Sequence, residues 1–203
     1  MRPSSKTKVI GLAGGVGCGK TTALSIWERD YGAKILIADE LGHLLTEPGY
    51  PAYEEIRQQF GSGVVLSDGR LDRGRLAEIV YADRKRLEML NGIVHPRVRE
   101  EIRKRLELWQ GEPLIVLETA ILFETGCDSF CDEVWGILTE RGIRIERLKQ
   151  LRGYTREKAE AVMAQQMSDE ELRRRCHRVL ENNGNLKNLK ETIRNMTDLY
   201  IFC

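Results

Sequence analysis

Residues Gly14-Gly15-Val16-Gly17-Cys18-Gly19-Lys20-Thr21 match G-x-x-x-x-G-K-[ST] at every fixed position, and each residue type answers one demand of a polyphosphate. Glycine accepts the positive φ that lets consecutive N–H groups point at phosphate oxygens. Lys20 can reach the β- and γ-phosphates, and the hydroxyl of Thr21 can ligand Mg²⁺. Such a loop has meaning only between a buried strand and a helix, whose N-terminus adds positive partial charge. Lys8–Ala13 is a short apolar run, and good helix formers follow in Thr22–Trp27. A glycine-rich turn that binds nothing is the bland alternative, and the flanking pattern argues against it. The segment reads as a nucleotide-binding loop.

Three further places carry candidate chemistry. Asp39 closes the apolar run Ala33–Ala38; at the C-terminal edge of a parallel sheet, where ligands sit, it could take a proton from an attacking hydroxyl. It could equally cap a helix starting near Glu40. His95, before Pro96, reads as a helix-start or turn residue or as a ligand group. Glu118 ends the run Pro113–Glu118, where a phosphate-loop protein often places an acid that holds Mg²⁺ directly or through water. Glu124 is either part of that site or a helix-terminal charge.

These residues need a scaffold, and the chain offers one. Its 203 residues suffice for one domain with a sizeable core. Lysine and arginine total 32 against 31 acidic residues, a net charge of +1, which argues against a protein that coats nucleic acid. The five cysteines form no paired framework; Cys127 and Cys131 are four apart, but no second pair of Cys or His follows at zinc-site spacing, and the odd count points to a reducing compartment. The polar start of the chain does not read as a signal peptide, and no apolar stretch approaches the roughly 20 residues that span a bilayer. The expectation is a cytoplasmic protein with no membrane or nucleic-acid partner.

Strand and helix patterns alternate. Strands are expected at Lys8–Ala13, Ala33–Ala38, Pro113–Glu118 and Glu133–Thr139. Helices are expected from Thr22, across about 51–110, and over Arg144–Leu151 and Arg156–Arg178. A phosphate loop after the first of several helix-separated strands means a three-layer α/β fold around a parallel central sheet. We expect a single domain with its core at about 7–47, 112–140 and 176–203, a helical acceptor-binding insertion at about 48–111, and a lid at about 141–175, rich in arginine.

The ordered set of motifs resembles the dephospho-coenzyme A kinase family. It comprises Gly14–Thr22, Ala38-Asp39, Glu47-Pro48-Gly49, Phe60-Gly61, Asp68-Gly69-Arg70-Leu71-Asp72-Arg73, Ile93-Val94-His95-Pro96-Arg97-Val98, Leu122–Gly126 and Asn182-Asn183-Gly184. The resemblance implies a P-loop kinase that moves the ATP γ-phosphate to the ribose 3′-hydroxyl of dephospho-coenzyme A. It implies Asp39 as general base, with Lys20 and Arg147 at the transferring phosphate. Gly15, Val16, Gly17, Cys18, Gly19, Lys20, Thr21 and Thr22 would bind ATP, with Asn182 and Gly184 on the adenine side. Arg73, His95, Phe123 and Glu124, with Asp39, would face the acceptor, and Thr21 and Glu118 would hold Mg²⁺. A monomer is expected.

Several positions depart from the family pattern. His43 stands where arginine is common, Ala120-Ile121 precedes Leu122 where Pro-Leu is usual, and Glu118 replaces the commoner Asp. Val162 occupies a usual lid-arginine position, for which Arg152 or Arg156 could substitute, and Cys176-His177 replaces Ala-Asp. Two other readings stay open on sequence: another P-loop small-molecule or nucleoside monophosphate kinase, and a nucleotide-dependent regulatory protein without turnover.

Overall fold

The computed structural model describes residues 7–202; most of the polar N-terminal segment, and Cys203, lie outside them. The strands are β1 (Lys8–Ala13), β2 (Lys34–Ile37), β3 (Leu114–Glu118), β4 (Glu133–Leu138) and β5 (Arg178–Glu181). The helices are α1 (Lys20–Tyr31), α2 (Ala38–Leu45), α3 (Pro51–Phe60), α4 (Arg73–Ala82), α5 (Arg84–Leu108), α6 (Arg141–Arg152), α7 (Arg156–Ala164), α8 (Asp169–Arg175) and α9 (Leu186–Phe202).

The strands form one sheet in the order β2-β3-β1-β4-β5. β1 runs parallel to β3, with Leu12 opposite Glu118, and parallel to β4, with Leu12 opposite Trp135. Every residue of β3 is buried, which is why its sequence is continuously apolar up to Glu118 instead of alternating. Around β4 the core is aromatic. Trp27 of α1 meets Trp135 edge-on at 5.9 Å, and Tyr200 of α9 meets it at 5.6 Å. The indole N–H of Trp27 donates to the buried Thr197 hydroxyl at 2.9 Å, whereas the buried Tyr200 hydroxyl has no hydrogen-bond partner among the described residues.

Two compact units are distinguishable, one formed by the chain up to Leu36 and from Trp109 onward, the other by Ile37–Leu108. The first holds the sheet and the phosphate loop. The second is helical, with a core of Ala52, Tyr53, Ile56, Val64, Leu71, Leu76 and Ile93.

Four local expectations need correction. The expected helix Arg156–Arg178 is two helices and a strand. α7 stops at Ala164, and Ser168 caps α8 by accepting from the Glu171 N–H. Arg178–Glu181, only partly apolar, pairs with β4, because the neighbouring strand supplies the partners its short sequence cannot advertise. The second strand ends at Ile37 and α2 begins at Ala38. Asp39 therefore stands in the first turn of α2 and is not its cap; the cap position is Ile37, with no side-chain bond. His95-Pro96 starts no helix and makes no turn, since both lie inside the 25-residue α5. Proline lacks the N–H that would reach the Gly92 carbonyl, and packing on α2, α3 and α4 outweighs that loss.

Candidate active site

The phosphate loop joins β1 to α1, and α1 opens on Gly19 in a left-handed conformation (φ 98°). A side chain there would be strained, and its Cβ would run into the amide nitrogen of Asn182. Lys20 lies in the loop's concavity. Its ammonium donates to the Gly14 carbonyl at 2.9 Å and pairs with Glu118 Oε1 at 3.6 Å. Both side chains are largely buried, 16% and 11% exposed. A buried ion pair needs its partners in place, and the parallel register of Leu12 with Glu118 puts the carboxylate at the loop's base. Thr21, in the first turn of α1, is exposed.

The rear of the loop is held from β4 and β5. The Asn182 side-chain amide donates to the Cys18 carbonyl at 2.8 Å, and the buried Thr139 hydroxyl lies 3.2 Å from the same oxygen and 3.1 Å from the Asn182 carbonyl. Arg147 donates to the Asn182 carbonyl at 3.1 Å and reaches the Gly17 carbonyl at 3.5 Å. Burial pushes the Cys18 thiol pKa up in spite of the Lys20 and Arg144 charges, which keeps the thiol protonated. Gly184 packs closely on Asn188 at the start of α9.

On the front, an open cleft is lined by Gly14, Gly15, Phe123, Glu124, Gln166 and Leu172, among others. Phe123 is half-buried beneath the Arg175 guanidinium at 4.1 Å, a cation–π contact; Glu124 is exposed. The structure thus brings Gly14–Thr22, Glu118, Phe123, Glu124, Arg147 and Asn182 into one unit.

Asp39, Arg73 and His95 belong to the helical unit. α2 packs on α5 through Gly42, where a Cβ would just touch Val94 and Val98. Arg73 opens α4 after the Asp72 cap, which accepts from the Arg75 N–H. Its guanidinium donates to the His43 carbonyl, the Thr46 hydroxyl and Glu47 at the C-terminus of α2, a favourable end for a cation. The rest of the Asp68–Arg73 motif is architectural. Asp68 accepts from the Arg70 N–H, Gly69 has φ 86°, and Val65 bridges Leu71. Partial burial lowers the His95 pKa, so the ring is neutral at neutral pH.

Sequence reasoning missed Thr139, Arg144 and Gln166, all of which touch the loop. None has a motif; Arg144 lay unnoticed in the arginine-rich lid, and only a tertiary contact distinguishes it from its exposed neighbours. Arg141 and Arg156 both pair with Glu160. Cys176-His177 leads into β5: the His177 N–H donates to the Val134 carbonyl at 2.8 Å, and its ring Nδ1 accepts from the Val134 N–H at 3.0 Å.

The chain is similar to known proteins along most of its length. The family model described as dephospho-CoA kinase matches residues 8–188. A dephospho-CoA kinase of Symbiobacterium thermophilum is 42% identical over 88% of this chain and 75% of its own. One of Bacillus licheniformis is 33% identical over 96% and 97%. Among solved structures, a protein of Thermus thermophilus superposes with a TM-score of 0.82 at 32% identity, covering 95% of this chain and 97% of its own. A dephospho-CoA kinase from Campylobacter jejuni, at 21% identity, shares the fold with a TM-score of 0.73, covering 97% and 98%. A phosphate loop at the end of a central strand serves many kinases, but a match running unbroken from β1 into α9 singles one out, and the chain belongs to the dephospho-CoA kinase family.

Proposed function

We propose that this chain transfers the γ-phosphate of ATP to the ribose 3′-hydroxyl of dephospho-coenzyme A, releasing ADP and coenzyme A. The observation that carries this reading is the family match over residues 8–188, and the geometry of the loop agrees with it. The loop amides from Gly15 to Thr22, with Lys20, bind and neutralise the phosphates. Asn182 and Gly184 line the adenine side, and Arg147, held against the Gly17 and Asn182 carbonyls, brings positive charge to the transferring phosphate. Thr21 and Glu118 offer hard oxygen donors that suit Mg²⁺. Among the described residues no three acidic, His or Cys side chains cluster around a metal position, so phosphate oxygens and water would complete the shell. When bound, the ion neutralises charge on the β- and γ-phosphates.

Asp39 accepts the proton of the 3′-hydroxyl as its oxygen bonds to the γ-phosphorus and the bond to the β–γ bridging oxygen breaks. Arg73, His95, Phe123 and Glu124 bind the acceptor. His95, neutral, serves as a hydrogen-bonding group. Residues 141–175 serve as the lid. Among the described residues no helix is long and apolar enough to cross a membrane, and we place the protein in the cytoplasm as a monomer.

The test is product identification with purified protein, Mg²⁺, ATP and dephospho-coenzyme A. Coenzyme A and ADP should form in equal amounts, and Asp39→Asn should lower kcat by roughly 10²- to 10⁴-fold, the range of a general base. Wild-type protein that makes no more product than the variant would overturn the proposal.

A further inference from the structure

Val16, in the middle of the phosphate loop, is held at all three of its attachment points by the segment 141–175. Its N–H donates to Gln166 Oε1 at 2.8 Å. Its carbonyl accepts from Arg144 Nε at 2.9 Å. Its side chain packs on the small core of Ile145, Leu148 and Ala159. The two polar side chains also bond to each other, Arg144 Nη2 to Gln166 Oε1 at 3.3 Å, and Asp169 accepts from Arg144 Nη1 at 3.4 Å. The bonds close a ring: Val16 N–H to Gln166, Arg144 to Gln166, and Arg144 back to the Val16 carbonyl. Gly15 makes room for it, since a Cβ there would overlap the Arg144 guanidinium. Arg144 is only 7% exposed in its side chain, so this is no solvated surface pair.

We propose that Arg144 and Gln166 are positioning residues that set the conformation of the phosphate loop before nucleotide arrives. Gln166 lies in the connection between α7 and α8 and also lines the cleft beside Gly14 and Gly15; movement of that connection is thereby transmitted to the Val16 peptide. Rotating this peptide re-aims the amides that follow it, so the ring governs nucleotide affinity more than the chemical step. The inference rests on the reading of Gly14–Thr22 as the ATP loop.

Nucleotide affinity measured by calorimetry with MgADP tests it, alongside steady-state kinetics. Gln166→Leu should weaken MgADP and raise the KM for ATP about five- to tenfold, the worth of one or two hydrogen bonds, with kcat and the KM for the acceptor within about twofold. Gln166→Glu keeps an acceptor opposite Arg144 and should recover most of the affinity. Arg144→Met should match Gln166→Leu, and the double variant should cost no more than either alone, because the ring acts as a unit. In the wild type without nucleotide, the Val16 amide should exchange slowly with solvent. Fast exchange there, affinity within twofold in Gln166→Leu, or losses that multiply in the double variant would each overturn the proposal. If Gln166→Leu does not fold, the exchange rate and Gln166→Glu decide. A wild type that binds MgADP but makes no coenzyme A would sink the functional reading and leave this one standing.

Discussion

Gly19 and Asn182 show how little freedom single positions in the loop have. Gly19 carries φ 98° and leaves no space for a Cβ beside the Asn182 amide. Gly19→Ala should therefore destabilise by more than the roughly 1 kcal/mol that a tolerated Gly→Ala change gains and abolish measurable ATP binding, checked by urea denaturation and calorimetry. Asn182→Ala is gentler. It removes the amide that donates to the Cys18 carbonyl, but the Thr139 hydroxyl lies 3.2 Å away and can turn its one proton to that oxygen. The Asn182 carbonyl would keep its Arg147 bond. We expect a loss of about 1 kcal/mol for Asn182→Ala and a larger loss than the sum of the singles when Thr139→Val is added, by the same denaturation measurement.

At the scale of elements, the helical unit contains one local conflict that can be tested. Pro96 sits in the interior of α5 and is exposed, where proline costs a helix about 3 kcal/mol. Pro96→Ala restores an N–H to the Gly92 carbonyl and loosens the unfolded chain, an opposing effect of about 1 kcal/mol. The net expectation is stabilisation by about 1–2 kcal/mol, read as a higher urea midpoint; a lower midpoint would mean that the proline shapes the helix to fit its neighbours. The opposite sign is expected at Asp72, whose carboxylate caps α4, and Asp72→Ala should cost about 1 kcal/mol. Both arguments were available in the sequence only in part. The Asp-Gly-Arg-Leu-Asp-Arg motif announces a turn followed by a cap. Nothing in His95-Pro96 announces a helix that runs straight through it, because neighbouring helices impose that outcome.

For the molecule as a whole, the pKa shifts set the pH response. Partial burial depresses His95. The unfolded chain then binds more protons than the folded one as pH falls through the ordinary histidine range near 6.5, so stability declines with falling pH there and levels off below the folded pKa. His95→Gln should flatten that part of the profile. Glu133 acts in a lower window. Burial alone would raise it, but hydrogen bonds from Arg178 and Trp135 outweigh that and leave it depressed, so its contribution is lost as pH falls below the usual glutamate range near 4.3. Thermal or urea unfolding at a series of pH values checks both. Nucleotide should act in the same balance: ligand at about 100 times its Kd stabilises by about 2.7 kcal/mol, and Lys20→Met should lose most of that rise.

The sequence by itself determined the phosphate loop, the parallel α/β architecture and the family, because each depends on local signals: glycines where the backbone must curl, apolar runs buried on both faces, and motifs in a set order. It also pointed to Lys20 and Glu118, which stand at the start of α1 and the end of β3, and the family resemblance added Phe123 and Asn182. Tertiary structure alone decided that Arg178–Glu181 is a strand, that Asp39 lies inside a helix and not at its cap, and that Arg144 and Gln166, 128 and 150 residues from Val16, close on its peptide. Contacts of that separation leave no periodicity and no spacing to read. The loop that recognises phosphate is written in eight consecutive residues, whereas its support is assembled from side chains that only folding brings together.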